Sequence, residues 1–374
     1  MAPTPAPRAE RLLSLDVFRG IAIAAMILVN NPGTWRSVYA PLQHADWDGC
    51  TPTDVIFPFF LFIVGVAVSL SFAAWTRQGG TKSKLFLKIV RRTLIIFALG
   101  IVLNGFPAFD WSEMRIPGVL QRVAACYFLA SIVVLTLNVR GQTATALMLL
   151  IGYWAAMKLL PIPGHRVGIL KPGRNLGAYI DTALLHGHLL HRRWDPEGIL
   201  STLPATATTL AGVLTGHWLR LSKSPFLRLS GLFVAGNLCV FLGLVMDPWF
   251  PINKSLWTSS YVLFSAGMAL NCLGMCYWLV DIRQYRRWAT PFIIYGTNPI
   301  LAYMLSTLMA KAMILWRVTR PDGSKVILRR YIFESAFLPL ASPINASLLY
   351  AIAYVLFWLG IMAVLYRKRI FIRI

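Results

Sequence analysis

The chain has 374 residues, of which 57% are hydrophobic, and a mean hydropathy of +0.62, more apolar than an ordinary soluble domain. Lys and Arg outnumber Asp and Glu by 36 to 14, a net charge of +22. Most of these cations sit at the ends of apolar runs and no nucleic-acid motif is present, so a bilayer, not nucleic acid, is the expected partner.

Apolar runs near twenty residues recur without the alternation of an outer-membrane barrel. Backbone polar groups cannot stay unpaired in lipid, so these runs read as helices. The expected fold is an all-α polytopic membrane protein, a bundle of about ten transmembrane helices with a short periplasmic lid segment. In chain order, MAPTPAPRAE opens a disordered cytosolic N-terminus over 1–13. It is not a signal peptide: the apolar run that follows carries Asp16 and Arg19 and ends in Asn30-Asn31-Pro32, not at a small-residue cleavage site. Spans are expected over 14–30, 54–75, 86–105, 118–137, 143–160, 199–219, 226–246, 256–280, 288–311 and 346–366. Residues 14–366 form one transmembrane domain. Within it, 161–198 and 312–345 are extracytoplasmic loops, and a further short segment around 326–340 stays open. A basic cytosolic tail covers 367–374.

Loop charge sets the topology. Arg77, Lys82, Lys84, Lys88, Arg91 and Arg92 flank the second-to-third connection, and Arg140, Arg220, Lys223, Arg228, Arg283, Arg286 and Arg287 fall on the same side. Both termini are therefore expected in the cytosol of a bacterial inner membrane, with His44 at the outer face.

His44 is a lone histidine between two apolar segments. Imidazole is the side chain best suited to move a proton or carry an acyl group near neutral pH; an ordinary loop histidine is the equal alternative. The surrounding motifs are more specific. LDVFRG (15–20), VN (29–30) and HADWDGCTPTDVIFPFFLFIVG (44–65) are followed by RIPGVLQR (115–122), DPEGILSTLPA (195–205), INKSLWTSSYVLF (252–264) and GTNPILAY (296–303). Together they resemble the heparan-alpha-glucosaminide N-acetyltransferase family, over nearly the whole chain. The resemblance implies transfer of acetyl from cytosolic acetyl-CoA to a glucosamine-type amine across the membrane, with no metal. It implies His44 as the base or nucleophile and matches Asn30 to the family's VN position. It also makes a homodimer a candidate assembly.

Read by chemistry, Asn30 can donate to an oxyanion or cap its helix end. Lys254 can stabilise developing negative charge, with Asn253 and Trp257 beside it, or all three can be interfacial. Asp46 and Asp48 can orient His44 or form a solvated acidic loop. Arg115 and Arg122 bracket a Pro-Gly turn and can bind a phosphate or sugar carboxylate, or anchor the interface. Asp195 and Glu197 can recognise the acceptor's amine and hydroxyls or start a helix. Asn298, beside Pro299, is a candidate cavity wall. Asp16 and Arg19 share a helix face and, with Arg91 and Arg92, are candidates for CoA binding; a structural Asp16–Arg19 pair is the other reading. HGHLLH (186–191) permits two imidazoles on one face, but no carboxylate arrangement completes a metal site. Four of the five cysteines lie in apolar runs, and no disulfide framework is readable. Outside this activity, O-acetylation of a cell-envelope glycan and transport of an amino sugar remain alternatives.

Overall fold

In the computed structural model, residues 12–372 are described. Most of the disordered segment expected over 1–13, and the last two residues of the expected basic tail, lie outside them.

Each of the ten expected apolar segments is helical. They are α1 (Leu13–Asn30), α2 (Ile56–Arg77), α3 (Lys82–Gly105), α4 (Val119–Thr136) and α5 (Val139–Leu159), then, after a short α6 (Leu176–Leu184), α7 (Thr202–Leu219), α8 (Pro225–Met246), α9 (Ser259–Cys276), α10 (Thr290–Thr297) with α11 (Pro299–Leu315), and, beyond α12 (Leu328–Ile332), α13 (Pro343–Arg367). Among the described residues six helices are long and apolar enough to cross a membrane: α1, α2, α4, α8, α9 with its π turn, and α13; α10 and α11 make a seventh if taken as one span. The remaining three expected spans, α3, α5 and α7, fall short on composition. Lys82, Lys84, Lys88, Arg91 and Arg92 crowd the start of α3, and α7 is rich in threonine.

Three features add detail to the expected layout. The ninth segment is not one straight helix: α10 and α11 meet at 85°, because Pro299 lacks the N–H a continuous helix needs there. Residues 328–340 form short helical turns, too short to span. They follow a small antiparallel hairpin of β1 (Arg317–Thr319) and β2 (Lys325–Ile327), an addition to an otherwise helical fold. The 161–198 loop carries a helix of its own, α6.

Small residues bring helices into backbone contact. A Cβ on Gly65 would lie 1.9 Å from the Thr209 carbonyl oxygen, and one on Gly212 would lie 2.0 Å from that of Phe62, so α2 and α7 touch along their backbones. Gly20 and Gly296 do the same for α1 against α10. In lipid such close approach replaces the hydrophobic drive for association. Hydroxyls of the bundle point inward: Thr206, Thr208 and Thr209 on α7 and Ser260 and Ser265 on α9 are buried. Large apolar side chains turn outward instead, among them Val234 and Phe241 on α8 and Leu356 on α13, as suits acyl chains rather than water.

The helices therefore alternate between two ends. One holds the end of α1, the start of α2 and the His44 loop. The other holds the start of α1 and the end of α13.

Candidate active site

Two loops at one end of the bundle build the site. In the first, between α1 and α2, Asp54 is buried just before α2, with 1% of its side chain exposed. Its Oδ2 accepts the backbone N–H groups of Ala45 and Thr51, both at 3.0 Å. Its Oδ1 is left to face His44 Nδ1 at 2.7 Å. The second loop joins α8 to α9 and is stapled to the first. Gly49 N–H donates to the Ile252 carbonyl at 2.7 Å, Asn253 Nδ2 donates to Asp48 at 3.1 Å, and the Tyr261 hydroxyl donates to the Asp54 carbonyl at 2.6 Å. The staple brings Lys254 Nζ to 3.0 Å from His44 Nδ1 and 3.3 Å from Nε2, and to 3.6 Å from Asp54 Oδ1.

The charges explain the geometry. Burial opposes ionisation of Asp54, but hydrogen bonds from His44, Thr51 and Ala45 and the Lys254 ammonium outweigh it and hold the carboxyl well below its usual range. An ionised Asp54 requires a proton on Nδ1, so the lone pair of the neutral ring lies on Nε2. Burial pulls the Lys254 pKa down, opposed by Asp54, Glu197 and Cys50. Burial, helped by Asp54 and opposed by Lys254, pushes the Cys50 thiol up to about 12. His44 itself keeps 48% of its side chain exposed, so an acceptor can reach it.

An aromatic partition lies beneath this cluster. Trp257, buried and left-handed at φ 54°, packs edge-on against Phe57 and Tyr261, each ring 5.3 Å away, and its indole N–H donates to Thr208 at 3.1 Å. A bulky residue rarely adopts this backbone, and here the surrounding bonds enforce it. Arg122 lies over the Trp257 ring at 5.0 Å. Arg115 forms a two-pronged pair with Asp195 at 2.8 and 2.6 Å and also pairs with Glu197.

Beyond the partition, a cavity of about 490 Å³ reaches toward the opposite end. Phe60, Val64 and Ser71 of α2 line it, with Val123 and Tyr127 of α4 and the cations Arg19, Lys88, Arg91 and Arg92. Phe60 lies one turn into α2, ~6 Å along the helix from its start. A second cavity of about 870 Å³ shares Ala67 and Ser71 with the first and adds Asp16, Arg77, Arg220 and Arg228.

Several expected residues fall elsewhere. The carboxylate on His44 is Asp54, not Asp46 or Asp48: Asp46 is exposed, and Asp48 holds Asn253. Asn253 in turn caps Leu256, a structural task. Asn30 is exposed at the last position of α1, while Asn31, buried beside it, donates to the Ile27 carbonyl. Asn298 lies at the end opposite His44, where its amide donates to the Ile370 carbonyl and accepts from Ile372 N–H, tying down the chain after α13. Asp16 pairs with Arg19 at 3.2 Å. In HGHLLH, His188 bonds the Met114 carbonyl and His191 stacks on Trp194. Sequence reasoning missed Asp54, Tyr261 and Lys88. Asp54 sits inside the quoted motif ten residues from His44, a spacing that only a folded loop closes.

The family model for heparan-alpha-glucosaminide N-acetyltransferase, catalytic, matches residues 11–244. The chain belongs to this family. The family match takes in His44, Asp54, Arg122 and the DPEG turn. Similarity to whole proteins extends further. The human heparan-alpha-glucosaminide N-acetyltransferase is 29% identical over 424 residues, covering 97% of this chain and 60% of that protein. The mouse protein is 28% identical over 426 residues, covering 98% and 61%. The chain thus spans about three-fifths of the length of the relatives it matches.

Proposed function

We propose that the chain is a transmembrane N-acetyltransferase that takes acetyl from cytosolic acetyl-CoA and delivers it to the amine of a glucosamine-type sugar at the His44 end. The observation that carries the reading is the alignment of two unlike sites along one bundle. An imidazole held by a buried carboxylate lies at one end, and a cavity rimmed by Arg19, Lys88, Arg91 and Arg92 opens toward the other. The cations suit the phosphates of CoA, and a cavity of about 490 Å³ is of the size that takes a cofactor arm.

In this reading His44 Nε2 removes the amine proton or carries the acetyl group, and Asp54 steadies the imidazolium that forms. Lys254 contacts the imidazole in the resting state. An acceptor docking at Nε2 displaces the ammonium, which then stands beside the charge that develops. Asn30 is the second donor to that charge. Glu197, paired to Arg115 at the DPEG turn, meets the acceptor's amine and hydroxyls. All ten apolar segments span the membrane. In this reading both termini lie in the cytosol of a bacterial inner membrane, as the cations of the short loops favour, and 161–198, a long loop that can translocate despite its own basic residues, is a periplasmic lid.

The test is transfer of labelled acetyl from acetyl-CoA to glucosamine by protein in nanodiscs, wild type against His44→Ala. Product from the wild type alone supports the reading. Label retained on the protein without acceptor selects the acetyl-histidine route. Full transfer by a folded His44→Ala variant, or passage of unmodified sugar without transfer, overturns it.

A further inference from the structure

The second cavity, of about 870 Å³, lies at the end of the bundle opposite His44, and acetyl transfer makes no use of it. Its walls change character with depth. Arg77 at the end of α2, Arg220 just past α7 and Arg228 near the start of α8 line its mouth. Arg77 and Arg220 are exposed, so the cavity opens to the surface. Leu15, Leu70, Leu219 and Ala67 line its inner part. Ala67 and Arg77 lie on one α-helix, about 15 Å apart along its axis. That depth is about the hydrocarbon thickness of one leaflet. Because α2 is long and apolar enough to cross a membrane, the cations fall at the level of headgroups and the leucines at the level of acyl chains.

The arginines are held in place yet carry no acid. Arg220 donates from Nε to the Gly216 carbonyl at 3.3 Å, and from Nη2 to the Ser69 hydroxyl at 3.4 Å and to His217 Nδ1. His217 is itself fixed, since its Nε2 lies 2.9 Å from Oε1 of the buried Gln142. Arg77 and Arg228 donate to the Ala73 and Leu221 carbonyls at 3.3 and 3.1 Å. None of the three pairs with a carboxylate among the described residues. Asp16 also lines the cavity, but it pairs with Arg19 at 3.2 Å. Burial, and after it the like charge of Arg77, pulls the Arg220 guanidinium down from its usual pKa. Like charges gathered at one mouth with no acid among them favour an anion from outside.

The lining says which anion. No described residue on this wall is aromatic, so no ring offers a face to a nucleotide base, whereas the first cavity has Phe60 and Tyr127. A basic mouth above an apolar slot between spans suits a phosphate that carries acyl chains. We infer that this cavity binds an anionic phospholipid, with its phosphodiester at Arg77, Arg220 and Arg228 and an acyl chain along Leu70, Leu15 and Ala67. The site does not depend on the acetyltransferase activity. In the topology proposed above, the lipid belongs to the inner leaflet.

Native mass spectrometry of protein released from nanodiscs tests it, the discs holding phosphatidylcholine and phosphatidylglycerol in equal parts. The wild type should keep a phosphatidylglycerol through delipidation in preference to phosphatidylcholine. Arg77→Gln and Arg220→Gln should each weaken that retention about fivefold, the worth of one cation beside an anionic headgroup. Ala73→Phe keeps every charge but fills the slot, so it should lose the lipid as well. Arg140→Gln removes an exposed cation that lines neither cavity and should change nothing. If the arginine variants do not fold, Ala73→Phe decides. Equal retention by wild type, Arg220→Gln and Ala73→Phe overturns the site. So does a loss in Arg140→Gln as large as in Arg220→Gln, which would mark general surface charge. Displacement of the phosphatidylglycerol by free CoA gives the cavity to the cofactor and overturns the site too. Absence of acetyl transfer by the wild type would overturn the proposed function and leave this site standing.

Discussion

Asp54→Asn separates charge from shape at the centre of the site. The carboxylate has two unlike sides: Oδ2 takes two backbone N–H groups, and Oδ1 takes His44. Asparagine has one oxygen, and the Ala45 and Thr51 N–H groups claim it. Its NH2 must then face His44 Nδ1, which becomes an acceptor, so the ring proton moves to Nε2 and the base is lost. Losing the charge-assisted bond alone costs about 1.5–3 kcal/mol, roughly 10- to 150-fold in kcat. The reversed tautomer takes the loss to the order of 10⁴, the size seen when the same swap is made in a Ser-His-Asp triad. Asp54→Ala removes the carboxylate without fixing the wrong tautomer, so it should transfer acetyl faster than Asp54→Asn while unfolding at a lower temperature. Stability follows from the depressed carboxyl pKa. Its contribution is fully present above the unfolded carboxylate range, near pH 4, and is lost as pH falls toward the folded value. The melting-temperature deficit of both variants should therefore shrink in acid. Nanodisc transfer kinetics and tryptophan-fluorescence melting read both effects. A folded Asp54→Asn within threefold of wild type, or an Asp54→Ala slower than Asp54→Asn, would refute the reasoning.

Lys88→Ala and Arg91→Ala should each raise the KM for acetyl-CoA roughly five- to tenfold with kcat spared, an effect that shrinks as salt is added; a fall in kcat alone would move CoA elsewhere. Cys50, pushed up to about 12, holds roughly one part in 10⁴ thiolate at pH 8. It should therefore react with maleimide far more slowly than free cysteine, as mass spectrometry of the labelled peptide would show. Burial, with Asp195 adding to it, pushes the Asp181 carboxyl up to about 6, against hydrogen bonding from Ile199 and the Arg122 charge. The folded state then binds more protons than the unfolded one between about pH 4 and 6, so this group costs stability as pH rises through that window. Asp181→Asn, which keeps an acceptor for Ile199 N–H, should melt higher at pH 7.5, by up to ~3 kcal/mol, with no gain at pH 4.

The helices were legible because lipid leaves so few options: each apolar run of the right length is helical. What composition could not show was the break at Asn298. Pro299 warns of it, but the size of the turn, 85°, and the seating of Gly296 against the Asp16 backbone, a contact between distant parts of the sequence, are not written in composition. The hairpin at 317–327 was hidden for a similar reason, since three-residue strands carry little alternation. At the site, His44 stood out as a lone imidazole beside apolar spans, whereas its carboxylate did not. Asp46 and Asp48 were nearer in sequence, and nothing local says that the chain doubles back at Thr51 to present Asp54. Lys254 was legible as a cation in a motif, but its partner was not. Arg91 and Arg92 were named from topology alone and line the cavity together with Lys88, which lies one turn away on the same helix.

The staple between the two loops has a consequence for synthesis. His44 and Lys254 are separated by 210 positions. At about 5–20 residues per second, the ribosome needs roughly 10–40 s to travel between them. Throughout that interval the first helices can already lie in the membrane, with the imidazole and its carboxylate at the surface but no ammonium beside them. The cation-lined cavity, in contrast, needs little beyond α1 to α4 for most of its walls. The nascent protein thus acquires most of the cation-lined cavity before it acquires Lys254, and the Gly49–Ile252 bond is the step that joins the two loops around His44.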